Sequence, residues 1–255
     1  MDSFGISIPL WQYPVLFVTA LGAGFVDSIA GGGGLITIPV LLNLGMSPPV
    51  ALGTNKLQAT FGSGSATWHF ARAGLIQFRA CRLGVGFTLI GAMAGTLLVS
   101  RIPATLLGQA IPSLLIAIAL YLLFQPRLGD RDLHPRLNAD WFHVLFGLGL
   151  GFYDGFFGPG TGTFWAMAYV VGLGFNLTRA TAHTKVMNFA SNVASLAVFV
   201  ASGQAHFGAG LSMGLGQVLG ARLGSRVVIR QGAKWIRPIF IGVVLAITLR
   251  LFWRG

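Results

Sequence analysis

A chain of 255 residues that is 54% hydrophobic and only 9% charged, with a mean hydropathy of +0.75, stands far from soluble domains, in which about a quarter of residues are charged; it reads as an integral membrane protein. The net charge of +11 would suit a nucleic-acid binder, but Lys and Arg gather in short loops between apolar runs as topology determinants do, so nucleic acid is not expected as a partner. The single cysteine, Cys81, excludes disulfides and cysteine-built metal sites, and the absence of a basic residue in 1–9 argues against a cleaved signal peptide.

In chain order, Trp11-Gln12-Tyr13-Pro14 reads as an interfacial anchor, followed by an apolar run to Ala30 that carries Asp27. Gly31, Gly32, Gly33 and Gly34 then interrupt the helix, because consecutive glycines give a helix little reason to continue. The segment 35–44 that follows is about ten residues, roughly 15 Å at 1.5 Å per residue, which is half a hydrocarbon core. Residues 14–44 therefore form a hairpin of broken or half-length helices. Gly45-Met46-Ser47-Pro48-Pro49 is a turn, and spans are expected at 50–71, 83–100 and 104–124, with a basic loop over 72–82. The polar stretch 125–140 reads as a linker between halves. Beyond it the scheme returns: a hairpin over 141–175 interrupted at Gly158-Pro159-Gly160-Thr161-Gly162, then spans at 180–201, 207–228 and 235–253.

The return is a repeat. Leu21, Gly22, Gly24, Phe25, Asp27, Gly31 and Gly33 recur 127 positions on as Leu148, Gly149, Gly151, Phe152, Asp154, Gly158 and Gly160. After a two-residue shift, Gly45, Ala51, Lys56, Gly91, Gly95 and Arg101 align with Gly174, Ala180, Lys185, Gly220, Gly224 and Arg230. The expected fold is all-α and polytopic: two five-segment repeats, 10–124 and 141–253, with about eight full spans plus the broken or re-entrant hairpins. Five segments per half invert the second half. Of the 17 Lys and Arg, twelve fall in the loops 72–82, 125–139, around 179 and 222–237, and only Arg101, Arg250 and Arg254 at the other ends. By the positive-inside rule the first set is cytoplasmic, so the linker 125–140 faces in and both termini face out.

Removing the loop charges leaves Asp27, Lys56, Asp154 and Lys185 inside the apolar spans. An ionisable group in a bilayer marks a functional site by default. Two readings stand: structural ion pairs locking the hairpins together, or lysines that offer positive charge to an anion beside amides exposed at the glycine-rich helix starts. Asp27 and Asp154 would then be gate, hinge or proton-coupling residues, with His183 a further proton-carrier candidate. Thr54, Asn55 and Gln58 flank Lys56, while Lys185, Asn188 and Asn192 stack at i, i+3 and i+7 beside Thr184; the alternative for each is interhelical packing glue. No nucleotide-binding, metal or hydrolase motif follows or replaces the glycines, so no catalytic residue, metal or cofactor is expected, and the chain is not read as an enzyme.

The run Gly31 to Gly34 followed by Pro39, Gly45 and Ala51-Leu52-Gly53-Thr54-Asn55-Lys56, with its degenerate copy at Gly158-Pro159-Gly160-Thr161-Gly162 and Ala180-Thr181-Ala182-His183-Thr184-Lys185, resembles the sulfite exporter TauE/SafE family over essentially the whole chain. The resemblance implies a transporter of sulfite, sulfoacetate or other small organosulfur and organic anions, often an exporter. It also implies that Gly31 to Gly34, Thr54 to Lys56, Gly158 to Gly162, Thr184 and Lys185 contribute to the translocation path. The expected activity is secondary transport by alternating access in the cell's inner membrane, by a monomer or homodimer with possible proton coupling. A passive anion channel, or an importer of a different small organic anion, is the alternative.

Overall fold

Polarity is inside out relative to a water-soluble protein. Leu211, Leu215, Leu219 and Leu223 form an outward stripe along one helix, and Ile90, Met93 and Leu97 do so on another, whereas Lys56, Lys185, Asp154, Asn55, Gln58 and Gln217 are buried. A computed structural model describes residues 8–123 and 131–232 of the chain and is all-helical over them. The helices are α1 (Gln12–Ala30), α2 (Gly33–Asn43), α3 (Pro48–Arg72), α4 (Phe78–Val99), α5 (Ala104–Leu123), α6 (Ala139–Phe156), α7 (Thr161–Leu173), α8 (Leu177–Ala201) and α9 (Phe207–Gln231). The expected span at 235–253 and residues 124–130, most of them in the linker, lie outside the described residues.

Three of these helices, α1, α4 and α8, are long and apolar enough to cross a membrane by length and composition. The 25-residue α3 and α9 are as long, but their apolarity is diluted by the Gly, Ser, Thr and amide residues that they turn inward. The short α2 and α7, with 11 and 13 residues, reach roughly 16–20 Å.

Local chemistry sets the ends, and it moves several of them past where apolarity alone put them. Asn138 accepts hydrogen bonds from the Asp140 and Trp141 amides, so α6 starts at Ala139. Asn176 accepts from the Arg179 amide, starting α8 at Leu177 rather than 180. The pair Pro48-Pro49 opens α3 at its first turn, where proline lacks no needed amide. The expected basic loop 72–82 is shorter than its charges implied: α4 begins at Phe78 and takes Arg79 and Arg82 into its first turns.

Packing exchanges helices between the two halves of the sequence. The helix α1 lies along α9, and α6 along α4. A Cβ on Gly220 or Gly224 of α9 would overlap the backbone of Leu21 and Phe25, and one on Gly91 or Gly95 of α4 would overlap that of Leu148 and Phe152. Small residues at this spacing let membrane helices approach to backbone contact. The helix α3 packs on α8 and α9, and α8 on α4, so α3 and α8 form the middle of the bundle.

The loops sort to two ends. At one, Asp132 accepts from the Asn176 amide at 2.6 Å and lies 3.9 Å from Arg179, which donates to Gln77 at 3.2 Å; the Leu133 amide donates to Gly174 at 2.7 Å. At the other, Ser212 donates to the Tyr13 carbonyl and the His206 amide to Thr54.

Candidate functional site

Both glycine-rich breaks lie at the centre of the bundle and touch. Gly31 closes α1 in the left-handed region (φ +74°), with its amide bonded to the Asp27 carbonyl at 2.8 Å, and α2 restarts at Gly33. Gly158 and Gly160 take φ of +98° and +83°, and α7 starts at Thr161. A Cβ on Gly31 would sit 2.6 Å from the Gly162 Cα, and one on Gly162 2.7 Å from the Gly31 Cα. Thr163 stitches the two together by reaching the Ala30 and Gly31 carbonyls at 2.7 and 3.1 Å.

Beside this contact is a cavity of about 40 Å³, room for a few waters. Its wall brings together Asp27, Gly31, Gly32, Gly33, Gly34, Asn55, Lys56, Asp154, Gly158, Gly160, Thr161, Gly162, Asn188 and Asn192, with Ala59 the one lining residue the sequence reading did not name. Five candidates stand elsewhere. Thr54 receives the His206 amide at 2.9 Å. Gln58 and Thr184 lie behind the wall, and the Thr184 hydroxyl is buried with no hydrogen-bond partner. His183 packs on Tyr169 and Phe175, its ring nitrogens meeting the Gln77 amide and the Arg179 carbonyl; the carbonyl can only accept, so Nδ1 carries the proton. Lys185 is not on the wall but stands behind Asp27.

The four membrane charges pair crosswise. Lys56 on α3 lies 2.7 Å from Asp154 Oδ1 on α6 and also donates to Asn192 Oδ1 at 3.3 Å. Lys185 on α8 lies 3.0 Å from Asp27 Oδ2 on α1 and donates to the Asp27 backbone carbonyl as well. The remaining oxygens also have partners: Asp27 Oδ1 accepts from the Gly33 amide at 3.3 Å, and Asp154 Oδ2 from the Ser191 hydroxyl. Burial of Lys56, Asp154 and Lys185 removes the competition from water at those three groups, whereas the Asp27 side chain stays about a quarter exposed.

A hydrogen-bonded chain backs the wall on one side only. Gln217 Nε2 donates to Gln58 Oε1 at 2.6 Å, and Gln58 Nε2 to Asn55 Oδ1 at 2.8 Å; Thr37 also donates to Asn55 Oδ1 at 2.6 Å. With its oxygen doubly engaged, Asn55 is left to present Nδ2 to the cavity. At the repeat-related positions Thr88 meets the Met187 sulfur at 3.6 Å, so among the described residues the opposite half shows no such chain. Across the cavity Asn188 also lines the wall, with its Nδ2 beside Gly162, while its Oδ1 is sealed from solvent without a hydrogen-bond partner. Gln217, Thr37, Ser191 and Thr163 were missed from sequence. Ser191 was within reach, lying on the polar face between Asn188 and Asn192, whereas a lone Gln217 in α9 gives no signal.

Electrostatically the site offers Lys56, the Asn55 amide and the starts of α2 and α7, balanced by two carboxylates. Among the described residues no group of three or more His, Cys, Asp or Glu is placed to hold a metal.

The sequence profile of the sulfite exporter TauE/SafE family matches residues 16–251. The chain is 47% identical over 239 residues to the probable membrane transporter protein YfcA of Escherichia coli (strain K12), covering 94% of this chain and 89% of that one. It is 48% identical over 236 residues to the probable membrane transporter protein ORF9 of Sinorhizobium sp, covering 92% and 90%. To a probable membrane transporter protein of Haemophilus influenzae it is 46% identical over 239 residues, covering 94% of each chain. No solved structure matches it.

Proposed function

The chain belongs to the sulfite exporter TauE/SafE family and is a multi-pass membrane transporter of a small molecule, and from that premise we propose that it is a secondary carrier of small oxyanions, exporting sulfite, sulfoacetate or a related organosulfur anion by alternating access. The observation that carries this reading is Lys56, buried in the middle of the bundle yet lining a cavity between two interrupted helices. A purely structural ion pair accounts for Lys56 and Asp154 but leaves unexplained why Asn55 is held with its amide nitrogen to the cavity. Two helix starts that converge on the same space add partial positive charge.

The cavity of about 40 Å³ is too tight for an organosulfonate, so it belongs to a closed form of the cycle. Opening separates α1–α2 and α6–α7 from the α3–α8 middle. The halves 10–124 and 141–253 act as inverted repeats around the linker 125–140; the exchanged packing of α1 on α9 and α6 on α4, at positions related by the sequence offset, supports this. The basic end faces the cytoplasm of a cell whose inner membrane holds the protein, with both termini outside. Asp27 and Asp154 are the gate residues.

The test is thermal shift of purified protein against sulfite, sulfate, sulfoacetate, thiosulfate and small carboxylates, followed by flux in proteoliposomes. A ligand that binds the folded state raises its apparent stability. A sulfur oxyanion should stabilise, and its flux should saturate and show counterflow. Large single-channel currents, or no shift from any anion, would sink the carrier reading.

A further inference from the structure

We propose that each anion crosses with one proton, and that Asp154 takes up that proton as it releases Lys56; the inference rests on the anion-carrier reading above. The charge count motivates it. Lys56 and Lys185 are matched one for one by Asp154 and Asp27. An anion brought to Lys56 while Asp154 stays ionised would put two negative groups on one buried ammonium, and a buried charge without a partner is costly. The helix starts do not cancel it, because their partial charge fades within a turn and the Gly33 amide is already engaged by Asp27. No other group near Asp154 can substitute. Tyr153 beside it on α6 is tied to the Pro159 carbonyl at 2.6 Å, and α7 carries no charged residue. The cations of α4, Arg79 and Arg82, lie at its start, about 15–20 Å along the axis from Ala92, which meets Gly155. On α8, Lys185 is engaged by Asp27, and His183 faces the aromatic cluster.

The two carboxylates differ in whether a protein group stands ready to accept the added proton's hydrogen bond. Asp154 Oδ2 faces the Ser191 hydroxyl, and that same hydroxyl lies 3.0 Å from the Asn188 carbonyl. With Asp154 ionised, Ser191 donates to it. With Asp154 protonated on Oδ2, Ser191 turns its hydrogen to the Asn188 carbonyl and accepts from the acid. The hydrogen bond between Asp154 Oδ2 and Ser191 is therefore kept in both states, with its direction reversed. Asp27 has no such switch: Oδ1 faces the Gly33 amide, which can only donate, and Oδ2 faces Lys185. Lys185 is also held by the Asp27 backbone carbonyl, whereas Lys56 depends on Asp154 and one asparagine oxygen. Protonation therefore frees Lys56, the lysine that lines the cavity, and leaves Lys185 in place.

The experiment uses the full chain in proteoliposomes with the membrane potential clamped, sulfoacetate and sulfite as probes, and luminal pH recorded. Sulfoacetate keeps both of its negative charges through the neutral range, so protons moved with it can be counted, and one proton per dianion leaves one net charge to cross under the clamped potential. Coupling of this kind is reversible, so the pH gradient imposed on the vesicle sets the direction: the wild type is expected to move one proton in the same direction as each sulfoacetate, to accumulate it on the alkaline side, and to lose apparent affinity by up to about tenfold per pH unit as pH rises. Asp154→Asn should lose pH-driven accumulation and show counterflow that no longer falls with pH. Ser191→Ala, which keeps the ion pair but removes the hydroxyl that donates to the ionised carboxylate, should reach the same uptake at a less acidic pH. Sulfoacetate flux with no accompanying proton, or pH-driven accumulation that survives in Asp154→Asn or is unshifted in Ser191→Ala, would overturn the proposal and leave the carrier reading standing. A folded wild type that moves neither probe would overturn the carrier reading itself, and this inference with it.

Discussion

Lys56 is the residue on which stability and transport meet. Its ammonium is the counter-charge of Asp154, so Lys56→Ala strands a buried carboxylate, a defect worth about 3–5 kcal/mol. We expect Lys56→Ala to lower the thermal unfolding temperature and abolish flux, and Lys56→Ala with Asp154→Asn to restore the unfolding temperature but not the flux. Recovery of both would make the pair structural only. Gln217 tests a subtler point. Gln217→Met keeps the length of the side chain, removes the donor to Gln58 and loosens the orientation of Asn55; the half-saturation concentration for the anion should rise several-fold with little change in maximal rate or unfolding temperature. Much of this was legible from residue type, because an Asp or Lys inside an apolar run announces itself. What sequence proximity could not give was the face: His183 is two residues from Lys185, about 200° around α8, and so meets Tyr169 rather than the cavity. Gln217 is distant in sequence from everything it touches.

The glycine breaks carry the architecture at the level of elements. Gly31 combines a left-handed φ with backbone contact to Gly162, so Gly31→Ala adds strain and a clash at once, whereas a methyl on Gly22 of the same helix would meet nothing within 4 Å. Gly31→Ala should lose most flux and folded yield, and Gly22→Ala should behave as the wild type in both, measured by size-exclusion recovery and proteoliposome uptake. Equal behaviour of the two would mean that the contact of the breaks is not used. The breaks and most helices could be located from glycine placement and apolar runs, since the bilayer leaves helices as the only simple way to satisfy the backbone. Their ends could not. Asn138 and Asn176 extend α6 and α8 beyond the apolar stretch by capping amides, an effect of single side chains that hydropathy averages away. The exchange of α1 onto α9 was hidden as well, because the motif of Gly220 and Gly224 says that some helix packs closely there but not which one.

At the scale of the whole molecule, charge asymmetry and bundle geometry bear on one question, which end faces the cytoplasm. The helix α4 runs 22 residues, about 33 Å, from the loop that meets Arg179 and the linker to Val99, next to Arg101. His134 and Arg101 therefore mark opposite faces of the bundle, and both are exposed. If the basic end is cytoplasmic, single cysteines replacing them in a Cys81→Ser background must label differently. Arg101→Cys should react with a membrane-impermeant maleimide in intact cells, and His134→Cys only after the membrane is permeabilised. The linker His134 belongs to joins the two halves, and equivalent loops carry unequal charge: 72–82 is basic, whereas 202–206 has no Lys or Arg. An inverted arrangement requires that inequality, since a parallel duplication would leave both loops on one side with no reason to differ in charge. Labelling of His134→Cys in intact cells, or of both positions alike, would break the link between the charge pattern and orientation, and with it the proposed placement of the cavity between two oppositely facing halves.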